Sequence, residues 1–172
     1  LPPSFFLRGL DFFSPFFLLI APTVLPAAPK QDSLRGIPTP SRKSPPVPNP
    51  LPYYHDNDPT LPAKERREWI AVLPLGAHEQ HGPHLPFQTD ALIAHGLVTR
   101  LVVALPTDLP VTFLPVEPVG YSIEHMDVPG TRTLAYQEAI ERWLGVAENL
   151  HTEGIRKLVI FNAHGGNSPL LT

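Results

Sequence analysis

The stretch AHEQHGPHLPFQTDAL, from Ala77 to Leu92, gathers three histidines, a glutamate and an aspartate around a Gly82-Pro83 turn. Glu79 and His81 are two residues apart, so in extended backbone their side chains point to the same side. Asp90 lies beyond the turn, which can fold the chain back toward them. A fourth group, His164, stands near the end of the sequence in FNAHGGN. Two carboxylates and two imidazoles could form the donor set of a metal site, against the plainer reading of histidines solvated in a surface loop. The chain has no cysteine, so thiolate sites and a thiol nucleophile are excluded, and zinc, manganese, iron or cobalt suit the remaining donors. A carboxylate can also bridge two ions. A bound ion with open positions lowers the pKa of water toward neutrality and polarises a carbonyl, which is the chemistry of amide hydrolysis. The His-Gly-Gly-Asn stretch says less by itself. Gly165 and Gly166 allow a strand-to-helix turn that Asn167 or Ser168 could cap. No lysine follows as a phosphate-binding P-loop needs, and the glycine spacing is not a dinucleotide fingerprint.

These groups need elements that carry them to one place. WIAVLPLG (69–76) is a short apolar run ending in glycine and predicts a buried strand. TDALIAHGLVTRLVVAL (89–105) predicts a helix capped by Thr89 or Asp90. VTFLPVEPVG (111–120) predicts a second strand ended by its prolines. TLAYQEAIERWLGVAENLHTEG (133–154) carries apolar residues at helical spacing, with Gly154 as the stop. KLVIFN (157–162) is a third strand, and HGGNSPLLT turns toward a further helix. Strands alternating with helices predict an α/β layered domain with a mainly parallel sheet. In such sheets ligands collect beyond the carboxyl ends of the strands, where Glu79, His81 and His164 all fall.

Composition separates this part from what precedes it. Of the 24 prolines, fifteen lie in the first 62 residues, a density that opposes regular structure. Residues 1–62 therefore read as a Pro-rich, disordered tail, with GIPTPSRKSPPVPNPLPYYHDNDPTLP as an extended linker, and 63–172 as the folded domain. Residues 1–29 are apolar, but the longest uncharged run, from Phe12 to Pro29, contains four prolines, which opposes a membrane-spanning helix. Arg8, the apolar Phe16–Ile20 and Ala27-Ala28 have the layout of a signal peptide, the weaker alternative to a cytoplasmic protein. The formal net charge of −3 predicts no broad basic face for nucleic acid.

LPLGAHEQHGPHLPFQTD, EHMDVPGT and FNAHGGN, in that order, closely resemble the motifs of the creatininase (creatinine amidohydrolase) family, from about Ile70 onward. The resemblance implies a three-layer α/β/α domain, often a hexamer, around a binuclear centre of zinc, manganese or iron. Such a centre opens C–N bonds of cyclic or linear amides through a metal-bound hydroxide. By position, Glu79, His81, Asp90 and His164 match the metal ligands, with Asp90 as the bridge. Glu124 and His125 would line the substrate pocket, and His78 and His84 would orient the ligands. His55, His95 and His151 are expected to be ordinary surface or core residues. One departure stands out: creatininase carries a glutamate where this chain has Gly166. A further carboxylate is then expected from a later segment, and the chain reads as C-terminally truncated at Thr172, with an incomplete fold. The expected function is a metal-dependent amidohydrolase of small non-peptide amides. An inactive fragment with a partial metal site is the alternative, and a secreted metal-binding module a third.

Overall fold

The computed structural model describes residues 17–20, by backbone, and 49–172. The signal-like and linker readings of residues 1–48 otherwise lie outside the described residues. Four parallel strands form one sheet in the order β1-β4-β2-β3: β1 (Phe17–Ile20), β2 (Ile70–Leu75), β3 (Val111–Phe113) and β4 (Lys157–Asn162). β2 is central, with Ile70 opposite Lys157 on one side and Val111 on the other. Two helices make the crossovers, α1 (Thr89–Ala104) and α2 (Tyr136–Thr152). β1 pairs with β4 from Phe17 opposite Lys157 to Ile20 opposite Ile160. No helix among the described residues is long and apolar enough to cross a membrane.

The central strand is apolar on both faces because both are covered. Successive side chains alternate, so Ala71, Leu73 and Leu75 join one apolar cluster with Trp143 and Leu150 of α2 and with Leu158 and Ile160. Val72 joins the other, with Val98 of α1 and Phe113. The helices thus lie on opposite faces, as the predicted layers require. α1 approaches β2 closely: a Cβ on Gly76 would lie 2.6 Å from the Ala91 Cα. α2 ends as expected at Gly154, whose φ is +101° and whose follower Ile155 donates to the Leu150 carbonyl.

Three local expectations change. The second strand is confined to Val111–Phe113, although Leu114 and Glu117 still donate to the carbonyls of Val72 and Pro74; Pro115 and Pro118 lack the donors that would extend a ladder. Neither Thr89 nor Asp90 caps α1, whose N-cap is Gln88 without a side-chain hydrogen bond, because the Asp90 carboxylate is turned into the cluster described below. The segment after His164 is a 3₁₀ turn, Gly165–Leu170, containing Pro169.

The packed structure also extends ahead of residue 63. Pro52 accepts a hydrogen bond from Phe113 N, and the Asn57 amide ties the Tyr53 carbonyl to Thr112 Oγ1 at 3.0 and 3.3 Å. Arg66, 4% exposed, bonds Glu153 at 2.7 Å and the carbonyls of Asp58 and Pro59 at 3.0 and 2.7 Å, lying over Trp69. Tyr54 donates to the same Glu153 carboxylate. Proline density opposes helix and sheet, yet it allows a chain to be pinned by side chains. Removing the guanidinium in Arg66→Ala should lower stability by about 1–3 kcal/mol, since it strips the Asp58 and Pro59 carbonyls and the Glu153 carboxylate of a partner. A urea midpoint equal to wild type would contradict this role.

Candidate metal centre

The loop after β2 carries Glu79 inward. Its frame is fixed by His78 O accepting from Arg132 N at 2.8 Å and by Glu79 N donating to Phe87 O at 3.0 Å. Gly82, at φ +76°, makes the turn within it. His81 has Nδ1 3.1 Å from Glu79 O, which leaves Nε2 3.1 Å from Asp90 Oδ1. Asp90, in the first turn of α1, presents its other oxygen to His164, with Oδ2 2.8 Å from Nδ1. The Asp90 carboxylate therefore stands between two imidazoles, one on each oxygen. His164, from the loop after β4, has Nε2 3.0 Å from Tyr121 O, 3.2 Å from Ser122 Oγ and 3.5 Å from Glu79 Oε2. The other Glu79 oxygen lies 3.8 Å from His125 Nε2.

Glu79, Asp90 and His164 are all buried, and one ligand atom from each lies within 4.8 Å of the others. His81 stands outside this group and reaches it through Asp90. Burying two neighbouring carboxylates disfavours both charges unless a positive group offsets them. Among the described residues no lysine or arginine pairs with either; imidazoles do. Burial pushes the Asp90 carboxyl up, but the His164 and His81 imidazoles outweigh it and hold Asp90 below the usual value. Burial likewise pushes His164 down, and the hydrogen bond to Asp90, the Glu79 charge and the Tyr121 carbonyl raise it overall. Glu79 Oε2 is nevertheless left without a hydrogen bond, and Asp90 Oδ2 has only the His164 imidazole beside it. Buried, orphaned carboxylate oxygens beside imidazole are what a divalent cation would satisfy, so the donor set fits one.

Comparison with known proteins bears on the same residues. The profile of the Creatininase family, described as creatinine amidohydrolase, matches residues 57–172. The chain belongs to the creatininase family. The mycofactocin precursor peptide peptidase of Mycobacterium tuberculosis is 37% identical over 107 residues, 59% of this chain and 42% of that protein. The 3-dehydro-scyllo-inosose hydrolase of Thermotoga maritima is 31% identical over 116 residues, 62% of this chain and 35% of that protein. A solved manganese creatininase is 27% identical with a TM-score of 0.55, over 60% of this chain and 41% of its own. A Zn–Zn type mutant creatininase gives a TM-score of 0.54 at the same identity. The chain thus spans about two fifths of the length of the relatives it matches. These relatives are hydrolases, and the manganese and zinc forms accord with the oxygen and nitrogen donors here.

Within this creatininase-family site, two residues went unread in the sequence. Asn167, expected at most to cap a helix, is fully buried. Its Nδ2 donates to Gly76 O at 3.2 Å and Asn162 Oδ1 at 3.1 Å, and its Oδ1 accepts from Tyr121 N at 2.9 Å. It thereby ties together the loops that follow β2, β3 and β4. Gly120 leaves room for it, since a Cβ there would lie 2.5 Å from Asn167 Oδ1. A lone asparagine after Gly-Gly carries no signal of this without the topology. Ser122, also fully buried, was missed for the same reason. Of the remaining expected residues, the His78 ring stacks on Phe87 at 5.6 Å and His84 is exposed; neither has a recorded side-chain contact with the cluster. His125 joins it through Glu79 and Gln80. Glu124 is exposed at its mouth.

Two outcomes are expected. Asn167→Ala should lower stability by about 1–3 kcal/mol by removing a hydrogen-bond partner from Gly76 O, Tyr121 N and Asn162 Oδ1, and should weaken metal binding at least tenfold although no proposed ligand is changed. Unaltered binding in calorimetric titration would show the loops to be held by other means. The raised His164 pKa contributes stability below its ordinary value of about 6.5 and loses it as pH rises through the folded value. The depressed Asp90 pKa contributes above about 3.9 and loses it as pH falls through its folded value. Chelator-treated protein should therefore melt highest between these limits. A cation at His164 displaces the proton, so metal binding should release protons and weaken as pH falls; a flat affinity between about pH 5 and 8 would count against His164 as a ligand.

Proposed function

We propose that this chain is a metal-dependent amidohydrolase in which Glu79, His81, Asp90 and His164 hold two divalent ions, with Asp90 bridging them. The observation that carries the reading is the Asp90 carboxylate itself, with Oδ1 toward His81 and Oδ2 toward His164 at 3.1 and 2.8 Å. A bridging carboxylate needs that division of its oxygens, and a structural ion pair needs only one. When bound, zinc, manganese or iron would supply activated water and a polarised carbonyl. The protein's share is to fix the donors. Tyr121 O and Ser122 Oγ hold the His164 ring, and Glu79 O holds that of His81. Glu124 and His125, on the 3₁₀ turn Ile123–His125, form the wall that a small amide would meet.

The substrate class we infer is a non-peptide C–N bond, in a formamide or a cyclic amide. One relative is named as a formylaminopyrimidine deformylase, from Methanobrevibacter smithii, 32% identical over 108 residues. Precursor peptide cleavage, the activity in another relative's name, is the competing class. The test is to load the protein with zinc or manganese and offer it a formamide, a cyclic amide and a short peptide. Elemental analysis should find close to two ions per chain, falling sharply in Asp90→Ala and His164→Ala, with metal-dependent turnover of the first two substrates. Equal metal in all three proteins would sink the ligand assignment. Metal-dependent cleavage of the peptide alone would move the substrate class.

A further inference from the structure

Val128-Pro129-Gly130-Thr131 makes a turn that holds none of the candidate ligands. Thr131 N donates to Val128 O at 3.2 Å. Pro129 takes the second position and Gly130, at φ +103°, the third, which is the type II pattern. The turn is also a seat. A Cβ on Gly130 would lie 3.0 Å from Phe87 Cζ and 3.2 Å from its Cε1, so the tip of the Phe87 ring faces the space that a side chain would fill. The same ring stacks with His78, with 5.6 Å between centroids and 29° between planes. One aromatic side chain thus touches the start of the ligand loop and a turn from a separate loop.

We propose that Phe87 is a positioning residue for the metal centre, its ring, seated between His78 and Gly130, fixing where Glu79 and Asp90 stand. This rests on the reading of Glu79, His81, Asp90 and His164 as the ion-holding set. Phe87 lies between the two carboxylates in the chain and is tied to both. Its carbonyl accepts from Glu79 N at 3.0 Å. Toward Asp90, Thr89 N and Thr89 Oγ1 both donate to Pro86 O, at 3.1 and 2.6 Å. Gly82 to Pro86 are exposed and Phe87 is half-buried, so within that stretch the ring is the anchor. The turn beneath it leads to the third ligand. Arg132 N donates to His78 O at 2.8 Å, and Thr133 Oγ1 accepts from Ser122 N at 2.7 Å. The Ser122 hydroxyl lies 3.2 Å from His164 Nε2. Displacing the ring would therefore move Glu79 and Asp90 relative to His164, and a ligand constellation tolerates only about 0.5 Å of such movement. Asn167 holds the roots of these loops; Phe87 holds their far ends.

The test is titration of the full chain with zinc, and with cobalt as a spectroscopic probe, beside metal-free melting. The proteins are wild type, Phe87→Leu, Phe87→Ala, Gly130→Ala and the double variant of Phe87→Leu with Gly130→Ala. Phe87→Leu keeps an apolar group and withdraws the ring tip. It should melt close to wild type yet bind zinc at least tenfold more weakly, with a changed cobalt visible spectrum. Phe87→Ala should show the same losses and a lower melting temperature. Gly130→Ala should weaken zinc binding, and less so beside Phe87→Leu, whose shorter side chain leaves the new methyl room. Equal weakening by Gly130→Ala in both backgrounds would overturn the seat. Wild-type zinc affinity and cobalt spectrum in Phe87→Leu, whatever its melting temperature, would overturn the proposal and leave Phe87 as ordinary packing. No metal in the wild type would instead overturn the ligand set on which it rests.

Discussion

Two carboxylates, Glu79 and Asp90, are buried side by side, and the arrangement around them follows from what their charges require. A lone ionised carboxylate in a protein interior is disfavoured by several kcal/mol, and here two share one site. The offset is supplied by imidazoles, which can be charged without metal and neutral with it. His164 touches both carboxylates and His81 touches the second. An arginine in their place would neutralise the site permanently and leave no donor for a cation. Imidazole offsets the two charges and still offers a nitrogen donor, and among the described residues no lysine or arginine is paired with either carboxylate.

That balance holds only if three loops are held to within about 0.5 Å of one another's required positions. The fold brings them near: β2, β3 and β4 are parallel, so their carboxyl ends share one edge. Nearness is not registration, and the Asn167 amide supplies the rest by holding Gly76, Tyr121 and Asn162 at once. Gly76 is also where α1 comes closest to β2, against Ala91. The helix that delivers Asp90 and the strand that delivers Glu79 are thus locked within a residue of the same clamp. α1 is governed by this geometry more than by its own amphipathicity: only Asp90, Ala94 and Val98 are buried along it, and Leu92, Ile93 and Val103 face outward.

The strands and helices were legible because each leaves a local trace. KLVIFN is β4 residue for residue, and the periodic apolar residues of 133–154 place α2 and its glycine stop. The ligand candidates were legible because histidine and carboxylate are rarely so dense, and because the topology sends them to one edge. What could not be read was anything set by contact between distant segments. Arg66 and Tyr54 pin a Pro-rich stretch to Glu153 across the chain, so composition alone reads that stretch as tail. Asn167 has the look of a cap residue and acts as a clamp. Gly166 reads as part of a strand-to-helix turn, yet a Cβ there would collide with the Tyr121 carbonyl.

The site is graded by depth, and the gradation separates what must be constant from what can vary. Glu79, Asp90, His164, Ser122 and Asn167 are buried; each contacts at least one of the others or the backbone of a neighbouring loop, so a change in one disturbs the rest. Glu124, Met126 and Ile123 are exposed at the mouth, where a substitution alters what enters without moving the floor. Relatives named for a precursor peptide, an inosose and a formylaminopyrimidine share 31 to 37% identity with this chain over about 60% of its length. Such a spread of named reactions over one stretch is what a fixed floor beneath a variable mouth would permit. Since the stretch is only about two fifths of those proteins, much of what distinguishes their substrates has room to lie outside it.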